Sequence, residues 1–330
     1  MMMASGGREG ALKEKVTKID KAPTERIASV AVCLAAYNGK EWLVEQLESI
    51  LKQEKVRVTV FVSVDRSNDG TEALINDYSK NDNRVVHLPV GFHFGGAAAN
   101  FFRLLKDVDI TAFDYISLAD QDDVWYSDKL WRAIQVLDDT GADCYSSNVI
   151  AFWTDGSEML INKAHPQREW DYIFEAAGPG CTYLFKRRVI KDVKSVLIEH
   201  EDLVAKVALH DWFLYAFARA RRYQWAIDPR PSMSYRQHSS NQVGVNAGWH
   251  AYAWRARKIW SGWGITQARL IVQLVGLNDE PFYQPWKVPG RIGMLWLGVN
   301  AFRCRRKITD IFIFAAICLL LSIVGDRSDG

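Results

Sequence analysis

Between residues 30 and 123 the chain repeats one pattern. A short apolar segment rich in β-branched residues runs into a polar cluster, and a stretch with helical spacing follows. Val30 to Ala36 ends at Tyr37-Asn38-Gly39, Val58 to Val64 ends at Asp65-Arg66-Ser67-Asn68-Asp69-Gly70, and Asp114 to Ala119 ends at Asp120-Gln121-Asp122-Asp123. The intervening segments 40–53, 71–78 and 97–108 place apolar residues at helical intervals, and 84–88 reads as one more strand. Strands that alternate with helices form βαβ units and a mostly parallel sheet. Ligands of such sheets bind beyond the carboxyl ends of the strands. The three polar clusters are therefore expected to meet on one edge.

After Ser127 the alternation loosens. The spacing predicts a helix over 129–139, a long strand over 143–153, a strand over 178–186 behind Gly178-Pro179-Gly180, a helix over 205–220 and short strands over 223–227 and 232–235. From about 245 onward, aromatic, basic and apolar stretches replace the pattern. We expect a flexible tail over 1–27 with no apolar run of signal length, a catalytic α/β domain over 28–245, and a helical, membrane-associated region over 246–330. Apolar residues make up 48% of the chain and charged residues 24%, enough for a packed core. A formal net charge of +2 lacks the basic field of a nucleic-acid binder. The five cysteines are odd in number and lack CxxC spacing, which argues against a disulfide framework or zinc site and suits a reducing compartment.

Ile311 to Gly325 is an apolar run of 15 residues, shorter than the roughly 20 a membrane span needs. Arg303, Arg305, Arg306 and Lys307 precede it, with Trp286, Trp296 and Phe302 further upstream. A basic flank beside an apolar segment fits anchoring at the cytoplasmic face of a membrane. The other reading is a helix folded back onto the domain.

Three carboxylates within Asp120-Gln121-Asp122-Asp123 repel one another unless a divalent cation such as Mg²⁺ or Mn²⁺ neutralises them; a solvated turn capping the next helix is the bland alternative. In the cluster after Val64, Asp65 can accept a hydrogen bond from a nucleobase, or the segment is simply a turn leading into a helix. Asp211 in His210-Asp211-Trp212 can act as a general base if it is buried beside a hydroxyl. In Tyr235-Arg236-Gln237-His238-Ser239-Ser240-Asn241, Arg236 can hold a phosphate and His238 a metal.

Taken in order, these motifs, together with Gly180-Cys181, resemble the family 2 glycosyltransferases of the GT-A fold, and most closely the bacterial rhamnosyltransferase-like branch. The resemblance spans about 28 to 245. It implies inverting, metal-dependent transfer from a nucleotide-sugar, with dTDP-rhamnose the first donor to test, to a saccharide or lipid-linked acceptor in cell-surface polysaccharide biosynthesis. It further implies that Tyr37, Asn38 and Asp65 line the nucleotide pocket, that Asp120 lies by the ribose or diphosphate, that Asp122 and His238 bind the metal, and that Asp211 is the base. The family's acidic pair after the second strand is reduced here to Val64-Asp65, and Arg66 stands at its glycine position. A nucleotidyltransferase would need a Gly-rich phosphate loop with Arg and Lys after the first strand, and Tyr37-Asn38-Gly39-Lys40 is not one. A catalytically degenerate binding protein of the same fold would have no need of Asp122, Asp211 and His238.

Overall fold

The computed structural model describes residues 26–89, 93–238 and 262–324. Its first half follows the alternation: β1 (Ala28–Ala36), α1 (Leu43–Leu51), β2 (Val56–Val64), α2 (Thr71–Asn81), β3 (Val85–His87), α3 (Ala97–Asp107) and β4 (Tyr115–Ala119). Then come β5 (Val124–Trp125), α4 (Lys129–Thr140), β6 (Cys144–Ser147), β7 (Val149–Phe152), β8 (Glu158–Ile161) and β9 (Leu184–Lys186). Helices α5 (Arg187–Glu199), α6 (Glu201–Val204) and α7 (His210–Ala220) lead to β10 (Trp225–Asp228) and β11 (Met233–Arg236). Four further helices close the described chain: α8 (Trp263–Leu274), α9 (Arg291–Val299), α10 (Ala301–Cys304) and α11 (Ile308–Val324).

Seven strands form one sheet in the order β10-β6-β9-β4-β1-β2-β3. It is parallel except at β9, which runs antiparallel to both β4 and β6. Alternate residues of β1 enter two separate cores. Ala31, Cys33 and Ala35 pack with α3, α5 and α7, while Val30, Val32, Leu34 and Ala36 pack with α1 and α4. A sheet covered on both faces explains why β1 reads as a continuous apolar run. Strands β5, β11, β7 and β8 form a second, smaller sheet.

Register brings the strand ends together as expected. Ala36 lies opposite Val64, Leu34 lies opposite Ala119, and the Asp65 amide donates to the Ala36 carbonyl at 2.8 Å. The long strand expected over 143–153 is instead two strands in different sheets, broken at Asn148. Its Oδ1 accepts the amides of Lys163 and Ala164 at 2.7 and 3.1 Å, and its Nδ2 donates to the Pro229 carbonyl at 2.8 Å. The strand expected over 178–186 shrinks to β9, behind a 3₁₀ turn at Gly180–Thr182. The helix expected over 205–220 starts only at His210. The sequence reading assigned nothing to α5, although Val189, Ile190, Val193, Val196 and Leu197 form its buried stripe. The domain boundary expected near 245 lies outside the described residues.

The C-terminal helices join the main core through Trp286, Met294, Leu297, Cys304, Cys318 and Leu321. Trp286 is fully buried and donates its indole N–H to the Phe282 carbonyl at 2.9 Å, so it is not the interfacial aromatic expected. The basic flank is also largely turned inward. Arg303 pairs with Glu169 at 2.9 Å, Arg305 donates to the Phe174 carbonyl at 2.7 Å, and buried Arg306 pairs with Asp171 at 3.3 Å. Lys307 stays exposed. Among the described residues, no helix is long and apolar enough to cross a membrane. The outer surface of this region is apolar nonetheless, with Ile292, Val299, Phe302, Phe312 and Ile323 all exposed.

Candidate functional site

The loops after β1 and β2 are interlocked by hydrogen bonds. Asn38, in the left-handed region at φ 46°, accepts the Asn68 amide on Oδ1 at 3.0 Å and donates its own amide to Ser67 Oγ. The Gly39 amide donates to Thr71 Oγ1 at 2.9 Å, and Lys40 donates to Asp69 at 3.0 Å. The Gln121 side chain crosses from the β4 turn and bonds both the amide and the carbonyl of Tyr37, at 2.7 and 2.9 Å. A Cβ at position 39 would overlap Gln121 Oε1 and would displace the Gln121 side chain from its bonds to Tyr37.

These loops open onto a cavity of about 830 Å³. Tyr37, Asn38, Asp65, Asp120, Asp122, Asp211 and His238 all line it. Seven of the eight residues singled out from the sequence thus share one wall system, drawn from β1, β2, β4, α7 and the end of β11. Arg236 is the exception. Its guanidinium pairs with Glu45 at 2.6 Å, donates through Nε to the Asp122 carbonyl at 2.8 Å, and lies over the Phe152 ring. Arg236 fastens the acidic turn from behind and does not line the cavity.

Asp65 is 3% exposed and already engaged. Its Oδ1 accepts the amides of Arg66 and Phe94 at 2.7 and 2.9 Å, and its Oδ2 accepts that of Gly95 at 3.1 Å. It therefore shapes the loop before α3 as well as the pocket floor. Oδ2 retains capacity for another donor.

Within the acidic turn the three carboxyls differ. Asp122 Oδ2 lies 2.7 Å from His238 Nε2, and the His238 ring stacks on Trp42 at 4.1 Å. Asp120 has its pKa pushed up to about 7, chiefly by burial and then by the neighbouring Asp122. Asp123 is buried, with its pKa raised by desolvation and by the other two acids, and its Oδ2 has no hydrogen-bond partner. Carboxyl oxygens of Asp120 and Asp123 and the Cys181 sulfur lie within 4.8 Å of one another. Behind them, fully buried Lys129 donates to the Cys181 carbonyl at 2.6 Å and sits 3.2 Å over the Trp125 ring. Burial lowers its pKa to about 7. Of these acids, Asp120 and Asp122 face the cavity, whereas Asp123 and Cys181 face the interior. The cavity-facing donors, two carboxylates and one imidazole, suit a divalent cation of the Mg²⁺ or Mn²⁺ type.

Asp211 occupies the first turn of α7, where its Oδ1 accepts the Trp212 amide at 2.8 Å. Burial raises its pKa to about 6. The 3₁₀ turn is pressed against it: a Cβ at Gly180 would lie 2.5 Å from His210 Nε2 and 3.2 Å from Asp211 Cβ. His210 lines the same cavity and stacks on Phe101 at 4.0 Å, and its buried Nε2 has no hydrogen-bond partner. Burial lowers its pKa to about 3, so the ring is neutral. Sequence reasoning named His210 in its motif but gave it no role. Lys163 and Glu175, to which it gave no role, and Arg305, which it assigned to the membrane flank, also line the cavity.

Residues 31–193 match the model of the family described as glycosyl transferase family 2. The chain is 42% identical over 291 residues to the dTDP-rhamnosyl transferase RfbG of Shigella flexneri, covering 88% of this chain and 100% of that protein. The chain belongs to glycosyl transferase family 2. This glycosyltransferase shares its α/β, GT-A-like fold with solved structures of low sequence identity. S. aureus TarS 1–349 in complex with UDP-GlcNAc matches with a TM-score of 0.53 at 14% identity, over 91% of this chain and 88% of that one. The mannosyltransferase PcManGT of Pyrobaculum calidifontis, in complex with GDP-Man and Mn²⁺, matches with a TM-score of 0.51 at 17% identity, over 91% and 76%. The family 2 chain is a glycosyltransferase, and the carboxyl edge of its sheet carries the cavity described above.

Proposed function

We propose that this glycosyltransferase moves rhamnose from dTDP-rhamnose to a hydroxyl of a lipid-linked saccharide, with inversion, at the cytoplasmic membrane surface. One observation carries the reading: the Asp122–His238 pair and the half-buried Asp211 face the same cavity. Similarity to a dTDP-rhamnosyl transferase over most of the chain supports the choice of donor.

The nucleotide lies against Tyr37, Asn38 and Asp65, with Asp120 toward the ribose and diphosphate. Mg²⁺ or Mn²⁺ held by Asp122 and His238 would supply the positive charge that stabilises the leaving diphosphate. Asp211, ionised at neutral pH, takes the proton of the acceptor hydroxyl. The acceptor oxygen bonds to the anomeric carbon as the bond from that carbon to the diphosphate oxygen breaks. Burial makes Asp211 a stronger base than an exposed carboxylate, which suits that task. Neutral His210 offers its unpartnered nitrogen to a sugar hydroxyl beside Asp211.

The membrane reading rests on the exposed apolar residues of α9 and α11, bordered by the exposed cations Lys287, Arg291 and Lys307. Such a face lies in the head-group region without crossing the bilayer. The donor assignment is tested with a panel of nucleotide-sugars, measuring release of nucleoside diphosphate with Mg²⁺ or Mn²⁺ present. We expect turnover with dTDP-rhamnose and its loss in excess chelator. Preference for another donor, or undiminished turnover in chelator, would refute the corresponding part.

A further inference from the structure

One end of the cavity carries cations that the reaction described above does not use. Lys163 lines it beside Glu175, Ala176, Gly178, Asp211 and Arg305. The Lys163 amide is fixed by Asn148 Oδ1 at 2.7 Å, and its stem packs on Gly178, where a Cβ would lie 3.7 Å from its own. Its ammonium makes no hydrogen bond or ion pair with a described residue, and desolvation lowers its pKa. Arg305 anchors Nη1 on the Phe174 carbonyl, while its Nε is buried and without a hydrogen-bond partner.

The neighbouring acids are already engaged by arginines, and none of them forms an ion pair with Lys163. Asp171 accepts from Tyr215 at 2.9 Å and pairs with Arg219 and Arg306 at 3.2 and 3.3 Å. Glu175 Oε1 accepts the Arg306 amide at 2.7 Å, and its Oε2 lies 3.6 Å from Arg306 and 4.0 Å from Arg305. Asp310 stands 3.7 Å from Arg305. A half-buried ammonium left unpaired among satisfied acids is costly unless an anion joins it. The donor diphosphate already has its own place at Asp122 and His238, so a second anion here belongs to the other substrate.

We propose that Lys163 and Arg305 form a subsite for a phosphate group of the acceptor, and that this phosphate belongs to a lipid diphosphate whose chain leaves over α9 to α11. The proposal rests on Asp211 marking the acceptor side of the cavity. It names the lipid because Arg305 joins α10 to α11, so the cation at the cavity wall and the exposed Phe302, Ile308 and Phe312 belong to one continuous segment.

The test is calorimetric, on the full chain with Mg²⁺ and a saturating nucleoside diphosphate filling the donor half. Farnesyl diphosphate, farnesol and inorganic pyrophosphate are titrated into wild type, Lys163→Gln and Lys163→Arg. Wild type is expected to bind farnesyl diphosphate more tightly than either other probe. Lys163→Gln should weaken that binding at least about tenfold, as loss of a charged hydrogen bond does, while Lys163→Arg retains it. Nucleoside diphosphate should bind all three proteins equally. Unchanged farnesyl diphosphate binding in Lys163→Gln overturns the subsite, as does farnesol binding as tightly as farnesyl diphosphate. Pyrophosphate binding as tightly as farnesyl diphosphate, and weakened alike by Lys163→Gln, keeps the phosphate subsite and overturns the lipid as its source. Failure of wild type to bind nucleoside diphosphate counts instead against the glycosyl-transfer reading on which the proposal rests.

Discussion

Burial holds the Asp211 carboxyl near a pKa of about 6 where it lines the cavity. As the base it must be ionised, so turnover should fall as pH drops through about 6, close to tenfold per unit below it. A pH–rate profile with no acid limb near that value would remove Asp211 from the role. Stability runs the other way. The folded state holds this proton more tightly than the unfolded chain, so the group destabilises the fold above pH 6, and that cost is relieved as pH falls from 6 toward 4. Gly180 bears on the same carboxylate. A Cβ there meets His210 Nε2 and Asp211 Cβ, so Gly180→Ala should cut turnover by roughly tenfold or more while donor affinity, measured by calorimetry, is kept. Equal loss of both would mean that the turn shapes the donor half instead. The acids of this site were legible in the sequence because each follows an apolar strand or opens a helix. Lys163 was not, because its neighbours Asp211, Glu175 and Arg305 are brought to it only by the fold. Arg236 misled for the same reason: Glu45 and the Asp122 carbonyl, which turn it away from the cavity, are remote from it in sequence.

The early strands and helices fall where periodicity put them, because a doubly covered parallel sheet demands apolar runs and the turn residues stop them sharply. Periodicity failed where one side chain redirects the backbone. Cys144 to Phe152 contains no glycine or proline, so it reads as one strand. Asn148 nevertheless ends β6 and starts β7 by binding backbone groups of Lys163, Ala164 and Pro229, which water would otherwise have to satisfy. Asn148→Ala should therefore destabilise the protein by about 2–3 kcal/mol, read as a lower urea midpoint with unchanged slope. A change below about 0.5 kcal/mol would mean that these backbone groups find other partners. The 3₁₀ turn at Gly180–Thr182 was likewise hidden, since Gly178-Pro179-Gly180 marks a turn without saying that it will press on α7.

Taken whole, the molecule places its cavity and its apolar C-terminal surface on a shared segment around Arg305. The sequence suggested membrane attachment through the four basic residues Arg303, Arg305, Arg306 and Lys307, but the first three hold α10 and α11 to the catalytic domain. Attachment should depend instead on Ile292 and Phe312, with Lys287, Arg291 and Lys307 each adding roughly 1 kcal/mol on anionic lipid. The full chain is expected to co-sediment with anionic vesicles and to lose that property in the Ile292→Asp, Phe312→Asp double variant. A chain that stays in the supernatant with such vesicles would rule the surface out as a membrane face. The central claim is that a metal-binding donor half and a proton-accepting acceptor half divide one cavity between them. Donor binding and single-turnover rate, measured in parallel with Mg²⁺ on Asp122→Asn and Asp211→Asn, test it most directly. Asp122→Asn should lose both metal-dependent donor binding and turnover; Asp211→Asn should bind donor normally and turn over at least about 10²-fold more slowly. Normal turnover in either variant, or loss of donor binding in Asp211→Asn, would contradict the account.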